Sequence, residues 1–139
     1  MNIYFSCSIT GGRQDQALYR SIVDALLSEG HTVPTAVLAD EDVISYENSI
    51  SADEIYRRDI QWLDECDAVI AEISTPSHGV GYEIAYALLT EKPVLCGYLA
   101  GRKISKMLEG NSHHLIKIYP YHQVDDFLTQ INIFLNGTG

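Results

Sequence analysis

The chain has 139 residues, with Lys+Arg 9 against Asp+Glu 19, a formal net charge of −10 and a pI near 4.7. Nucleic-acid polymers and anionic membrane surfaces are thereby excluded as partners, because both require a clustered basic face. The length suits one domain over residues 1–139 that buries roughly two-thirds of its unfolded surface, and 46% hydrophobic with 20% charged residues is a globular composition.

In chain order, Ile3 to Ile9 is an apolar run too short for a typical helix and reads as a buried strand. Arg13 to Glu29 follows with Leu18, Ile22 and Leu26 on one helical face, and Gly30 stops it. A second strand is expected from His31, fading near Pro34, and Asp40, Glu41 and Asp42 read as a solvated loop. Ser51 to Glu65 predicts a helix, Ala68 to Ile73 a strand, Gly81 to Glu91 a helix and Pro93 to Leu99 a strand. Arg102 to Leu108 then predicts a short helix, Leu115 to Tyr119 a strand and Val124 to Leu135 the last helix.

Strand followed by helix, about five times over, predicts an α/β fold with a parallel sheet, because parallel strands need a crossover. The expected architecture is flavodoxin-like and doubly wound, with five strands in the order 2-1-3-4-5. The three cysteines, Cys7, Cys66 and Cys96, lack CxxC or Cys/His spacing and read as small buried apolar residues. With no basic leader and no apolar run of about 20 residues, the expected compartment is the cytoplasm. No metal or cofactor is expected; His113 and His114 lack a partner at i+4, and His78, in a loop, reads either as a residue that touches substrate or as one that faces solvent.

Ligands of doubly wound sheets bind beyond the carboxyl ends of the strands, beside the first strand. Two loops meet there, Ser6 to Arg13 and Ser74 to Glu83. Ser77, Gly79 and Gly81 suit an anion at a helix N-terminus, although the glycines would serve equally for turning alone. The stretch Gly79-Val80-Gly81-Tyr82-Glu83-Ile84 lacks the last glycine of a dinucleotide fingerprint and follows the wrong strand.

Glu83 is expected in the first turn of an apolar helix, either as a capping carboxylate or as a nucleophile or base aimed into the crevice. Asp59 poses a similar choice between an exposed acid paired with a neighbouring arginine and the second carboxylate of a pair. Two carboxylates converging on a sugar are the equipment for cleaving a glycosidic bond. Tyr4, in the first strand, is the tyrosine placed for the crevice.

Tyr4-Phe5-Ser6-Cys7-Ser8-Ile9-Thr10-Gly11-Gly12-Arg13, Arg58-Asp59-Ile60-Gln61-Trp62-Leu63, Asp67 to Glu72, Pro76 to Glu83 and Gly101 to Ser105 together resemble the nucleoside 2-deoxyribosyltransferase superfamily. Within it, the nearer likeness is to the 2′-deoxynucleoside 5′-monophosphate N-glycosidase branch. The resemblance implies a homodimer acting on a small nucleotide or nucleoside, with Glu83 attacking C1′ to form a glycosyl-enzyme that water opens. Asp59 would protonate or orient the departing base, and Tyr4 would lie against nucleophile and sugar. Ser77 with the amides of Gly79 and Gly81 would hold the 5′-phosphate, and Ser105 would be lent by the partner subunit. Ile9, Gly11 and Gly12 would border the nucleobase.

Cys7 stands where the branch often has glycine and Thr10 where it often has arginine, and residues Pro34 to Ile50 match poorly. These departures bear on base preference more than on reaction type. Base exchange between deoxynucleosides is the first alternative activity, and a non-catalytic nucleotide-binding module the second. A chain of this charge repels a nucleotide at long range, so recognition would rest on short-range donors: backbone amides, serine hydroxyls, and Arg13 or a partner-subunit residue.

Overall fold

The computed structural model describes residues 1–9 and 15–138, so the expectations for Thr10, Gly11, Gly12 and Arg13 lie outside the described residues. Four strands, β1 (Ile3–Ser6), β2 (Ala68–Glu72), β3 (Val94–Leu99) and β4 (Ile116–Tyr121), form one parallel sheet in the order β1-β2-β3-β4. Its register pairs Tyr4 with Val69, Ala71 with Cys96 and Gly97 with Tyr119. β1 and β2 are buried at every residue, which explains their unbroken apolar character.

Helices cover both faces. Ile3 and Phe5 point into a core shared with α1 (Gln16–Ser28) and α6 (Val124–Thr138), and Tyr4 points into the opposite core, shared with α3 (Ala52–Glu65) and α4 (His78–Leu89). This division follows from the two-residue period of a strand. Gly30, at φ +85°, ends α1, and the His31 amide donates back to the Leu26 carbonyl at 3.1 Å. A short helix α5 (Lys106–Glu109) follows β3. Among the described residues no helix is long and apolar enough to cross a membrane.

Of the five strands expected, the described residues place four in the sheet. The segment foreseen as the second strand makes a single parallel bridge, Asn2 with Thr32, and then turns into a 3-10 helix at Pro34–Ala39. Proline has no amide hydrogen to extend the ladder and its fixed φ favours a helical first turn. Helix α2 (Val43–Asn48) was likewise not foreseen. All three cysteines are buried, and burial pushes the Cys66 thiol up to about 11 and the Cys96 thiol up to about 12.

One close approach fixes how α6 lies on the sheet. A Cβ on Gly97 would fall 2.4 Å from the Phe127 ring, which is itself stacked on Tyr121 at 5.0 Å between centroids. Gly97→Ala is therefore expected to destabilise the fold by about 1–3 kcal/mol through overpacking. Urea unfolding checks this, and an unchanged midpoint would show that the ring can move aside.

Candidate functional site

The carboxyl ends of β1 and β2 place two unlike polar clusters on opposite faces of the sheet. On the α1/α6 face, the fully buried Glu72 accepts hydrogen bonds from the Ser74 hydroxyl and from Tyr121 Oη, the latter at 2.9 Å. Ser74 Oγ also accepts from the Leu99 amide at 2.8 Å. Asp15 receives Thr75 Oγ1 at 2.8 Å and both Nη atoms of Arg102 at 2.9 and 3.1 Å. Burial raises the Asp15 carboxyl, but the Arg102 and Thr75 hydrogen bonds outweigh it and leave it below the usual range. This network ties together the start of α1, the loop after β2 and the loop after β3.

On the other face stands Glu83. Ser77 caps α4, its hydroxyl accepting from the Val80 amide at 3.3 Å, so the helix starts at His78 rather than at Gly81. Glu83 consequently lies in the second turn, which corrects the expected first-turn position and removes it from the strongest part of the helix-end field. Nor is α4 buried on most sides: Tyr82 is 55% and Leu89 84% exposed.

Glu83 Oε2 instead accepts a hydrogen bond from Ser6 Oγ at 2.8 Å. Burial pushes the carboxyl up to about 7; the Ser6 hydroxyl opposes this, the charge of Asp59 adds to it, and Tyr4 and Arg58 oppose it. The Tyr4 hydroxyl is buried without a hydrogen-bond partner of ordinary geometry and is close enough to feel the Glu83 charge. Burial, then the charges of Glu83 and Asp59, drive the phenol far above its ordinary value.

Asp59, on α3, is neither exposed nor isolated. Arg58 contacts its Oδ1 through Nε at 2.9 Å and Nη2 at 2.8 Å, and the same Nη2 reaches Glu47 Oε1 at 3.1 Å. The guanidinium lies 4.7 Å from the centroid of the Trp62 ring. Burial raises the Asp59 carboxyl, Arg58 lowers it and the Glu47 charge raises it, with a net shift upward.

A cavity of about 460 Å³ brings Glu83, Asp59, Ser77, Gly79 and Ile9 together. Ser77 and Gly81 also line a neighbouring groove of about 370 Å³, and there the Ser105 of the same chain appears. Ser105 Oγ accepts from the Met107 amide at 3.2 Å, and Ser105 does not line the cavity that holds the two carboxylates. Tyr4 lies beneath that cavity rather than in its lining.

The sequence reading assigned no role to Ser6, Glu47 or Arg58. The period of β1 was a usable signal for Ser6, since residues 4 and 6 share a face. Glu47 had none, because α2 was not foreseen. His113 stacks on His114 at 4.7 Å, and among the described residues no group of three His, Cys, Asp or Glu could hold a metal ion.

A parallel α/β sheet with two carboxylates lining one cavity beyond its strand ends is an arrangement that glycosidic-bond chemistry can use. The chain belongs to the nucleoside 2-deoxyribosyltransferase family, whose model, described as Nucleoside 2-deoxyribosyltransferase, matches residues 3–133. A protein of Methanosarcina mazei called "Putative 2'-deoxynucleoside 5'-phosphate N-hydrolase 1" is 42% identical over 120 residues, covering 86% of this chain and 74% of that one. The "5-hydroxymethyl-dUMP N-hydrolase" of Danio rerio is 38% identical over 129 residues, covering 91% and 87%. The solved structure of Clostridium botulinum CMP N-glycosidase, BcmB, shares the fold at a TM-score of 0.72 and 18% identity, covering 95% and 98%.

A carboxyl raised from 4.5 to about 7 costs stability when it ionises. Well below pH 4.5 it is neutral in both folded and unfolded chains; between about 4.5 and 7 only the unfolded chain ionises, and above 7 the penalty is complete. Glu83→Gln is therefore expected to leave stability unchanged at pH 4 and to raise it on the order of 3 kcal/mol at pH 8. Denaturant titrations at the two pH values check this, and an equal effect at both would show that ionisation of Glu83 is not the cause.

Proposed function

We propose that this protein hydrolyses the N-glycosidic bond of 2′-deoxynucleoside 5′-monophosphates, releasing the nucleobase and deoxyribose 5-phosphate. The observation that carries the reading is the convergence of Glu83 and Asp59 on one cavity that Ser77 and Gly79, at the head of α4, also line. The relatives' names, the match to the family and the matching fold support it. The flavodoxin-like order 2-1-3-4-5 belongs to this reading, with Thr32 standing where the second strand would be.

In the first step the ionised Glu83 carboxylate attacks C1′, and the bond from C1′ to the base nitrogen breaks as Asp59 delivers a proton to the base. In the second, Asp59 takes a proton from water, whose oxygen attacks C1′ and frees Glu83. Ser6 steers the nucleophile by holding Oε2, which leaves Oε1 for the sugar. Tyr4 holds a neutral phenol against the carboxylate. Both Arg58 contacts fall on Asp59 Oδ1, so Oδ2 is the oxygen left to serve the leaving group. The 5′-phosphate sits against Ser77 and the amides around Gly79 and Gly81. Ile9, which lines the cavity, borders the base.

The protein acts as a homodimer in the cytoplasm. Tyr56 and Tyr82, 54% and 55% exposed, meet edge to face at 6.3 Å beside a cavity lined by Asp59 and Glu83. Such an aromatic face next to a site suits a second copy. Ser105 is exposed beside Met107, itself 83% exposed, at the head of α5, and is thereby offered to the neighbouring subunit. Tyr82→Asp is expected to sediment as a monomer where the unaltered protein sediments as a dimer. A monomeric unaltered protein would overturn this assembly.

The reaction is tested by chromatography of products from deoxy- and ribonucleosides and their 5′-monophosphates, with and without an added free base. Free base and deoxyribose 5-phosphate are expected from deoxynucleoside monophosphates. Glu83→Gln should lose measurable turnover, and Asp59→Asn should lose about 10²–10⁴-fold in kcat. Exchange of bases between nucleosides, with monophosphates untouched, would make the protein a transferase instead. Binding without any product would make it a nucleotide-binding module.

A further inference from the structure

The cavity that holds the two carboxylates extends past them to residues the reaction does not use. Ser77 and Glu83 are neighbours, since a Cβ on Gly79 would lie 3.8 Å from Ser77 Oγ and 3.7 Å from Glu83 Oε1. Asp59 is joined through Arg58 to Glu47. The lining therefore runs from a phosphate end at Ser77, past the carboxylate pair, to an end formed by Cys7, Ile9, Glu47, Asn48 and Ile50. A nucleotide whose C1′ meets Glu83 and whose phosphate meets Ser77 has its base at that far end.

Glu47 is the charged group there. Its side chain is 12% exposed, and Arg58 Nη2 holds Oε1 at 3.1 Å. Oε2 is buried and accepts no hydrogen bond. A buried carboxylate oxygen without a donor is costly, and a ligand N–H supplies what is missing. Arg58 Nη1 is likewise buried without an acceptor, but Arg58 does not line the cavity and lies against Trp62 and Tyr46, so Glu47 is the charged group that meets the cavity at this end.

An ionised carboxylate only accepts hydrogen bonds. The exocyclic amine of cytosine, adenine or guanine offers it an N–H at the periphery of the base. Uracil and thymine carry a carbonyl oxygen where cytosine has its amine, and hypoxanthine carries one where adenine has its amine; oxygen against oxygen repels, and hypoxanthine lacks the 2-amine of guanine altogether. We propose that Glu47 is a specificity-determining residue that selects nucleotides whose base carries an exocyclic amino group. This rests on the hydrolase reading for the placement of the substrate and adds the class of base.

Matched pairs test it: dCMP against dUMP, and dAMP against dIMP, in each of which the amine is exchanged for a carbonyl. The unaltered protein is expected to favour the amino member of at least one pair by about tenfold or more in kcat/KM. Glu47→Gln, which also presents a donor, should bring that ratio close to one, whatever the loss of its charge does through Arg58 and Asp59 to the turnover of both members together. A role for Glu47 confined to holding Arg58 and Asp59 would lower kcat on both members alike and leave the ratio intact, which overturns the proposal. A preference of the unaltered protein for dUMP and dIMP overturns it as well.

Calorimetric binding of the same four nucleotides to Glu83→Gln, with and without Glu47→Gln, separates the two readings. Absence of turnover by the unaltered protein sinks the hydrolase, and the binding ratio still decides the role of Glu47. Equal ratios in the two proteins, or binding of none of the four, overturn it.

Discussion

A carboxylate withdrawn from water next to a second carboxylate has to be compensated by its neighbours, and much of the architecture around Glu83 serves that end. The compensation is modest. One hydroxyl, Ser6 Oγ, donates to it, and Tyr4 and the charge of Arg58 add to that while the charge of Asp59 works against it. Because that falls short of full solvation, Glu83 stays near 7 rather than near its ordinary value. A group poised there is ionised often enough to attack and is weakly enough solvated to be reactive. In the proposed reaction the carboxylate thus sits where it is costly to the fold and useful to the chemistry, a trade that active sites repeatedly make.

The second compensation lies with Arg58. Its guanidinium is shared between Asp59 and Glu47 and stacked on Trp62, so its charge is largely spent within α2 and α3. Sharing matters. A guanidinium devoted to Asp59 alone would hold that acid ionised, whereas the Glu47 charge pushes Asp59 back upward. Glu83 and Asp59 are thereby separated by environment: one is held by a neutral hydroxyl, the other by a cation that a third carboxylate also claims. On the opposite face, Arg102 ties Asp15, at the start of α1, to the loop after β3, and Thr75 ties it to the loop after β2, so the loop leading to Ser77 is anchored from below.

Strands β1 to β4 and helices α1, α3, α4 and α6 were legible because burial on both faces of a parallel sheet writes itself as unbroken apolar runs between amphipathic ones. Residues 32–48 were not. Pro34, the alternation of apolar and small residues up to Ala39, and a short α2 carry no sustained period, and their shape is set by packing against β1 and α1. There Val33, Leu38, Ala39 and Val43 are buried and Thr35 Oγ1 accepts from the Phe5 amide at 2.9 Å. Residue types in sequence were enough to single out Glu83, Asp59 and Ser77, which the fold brings to one cavity. They were silent on Ser6 and Glu47, because each matters through a partner distant in sequence: Ser6 meets Glu83, and Glu47 meets Arg58.

The charge of −10 bears on the site more sharply once the cations are placed. Arg20 is bound to Asp24 and Asp40, Arg57 to Asp53, Arg58 to Asp59 and Glu47, and Arg102 to Asp15. Among the described residues that line the 460 Å³ cavity and the adjoining groove, the one Lys or Arg is Lys103, in the groove with Ser77 and Ser105. A phosphate placed at the head of α4 thus meets backbone amides, hydroxyls and one flexible ammonium, with no rigid guanidinium fork. Such a grip is short in range and tolerant of geometry. In the proposed reaction, discrimination among nucleotides then falls to the opposite end of the cavity, formed in part by Glu47, Asn48 and Ile50.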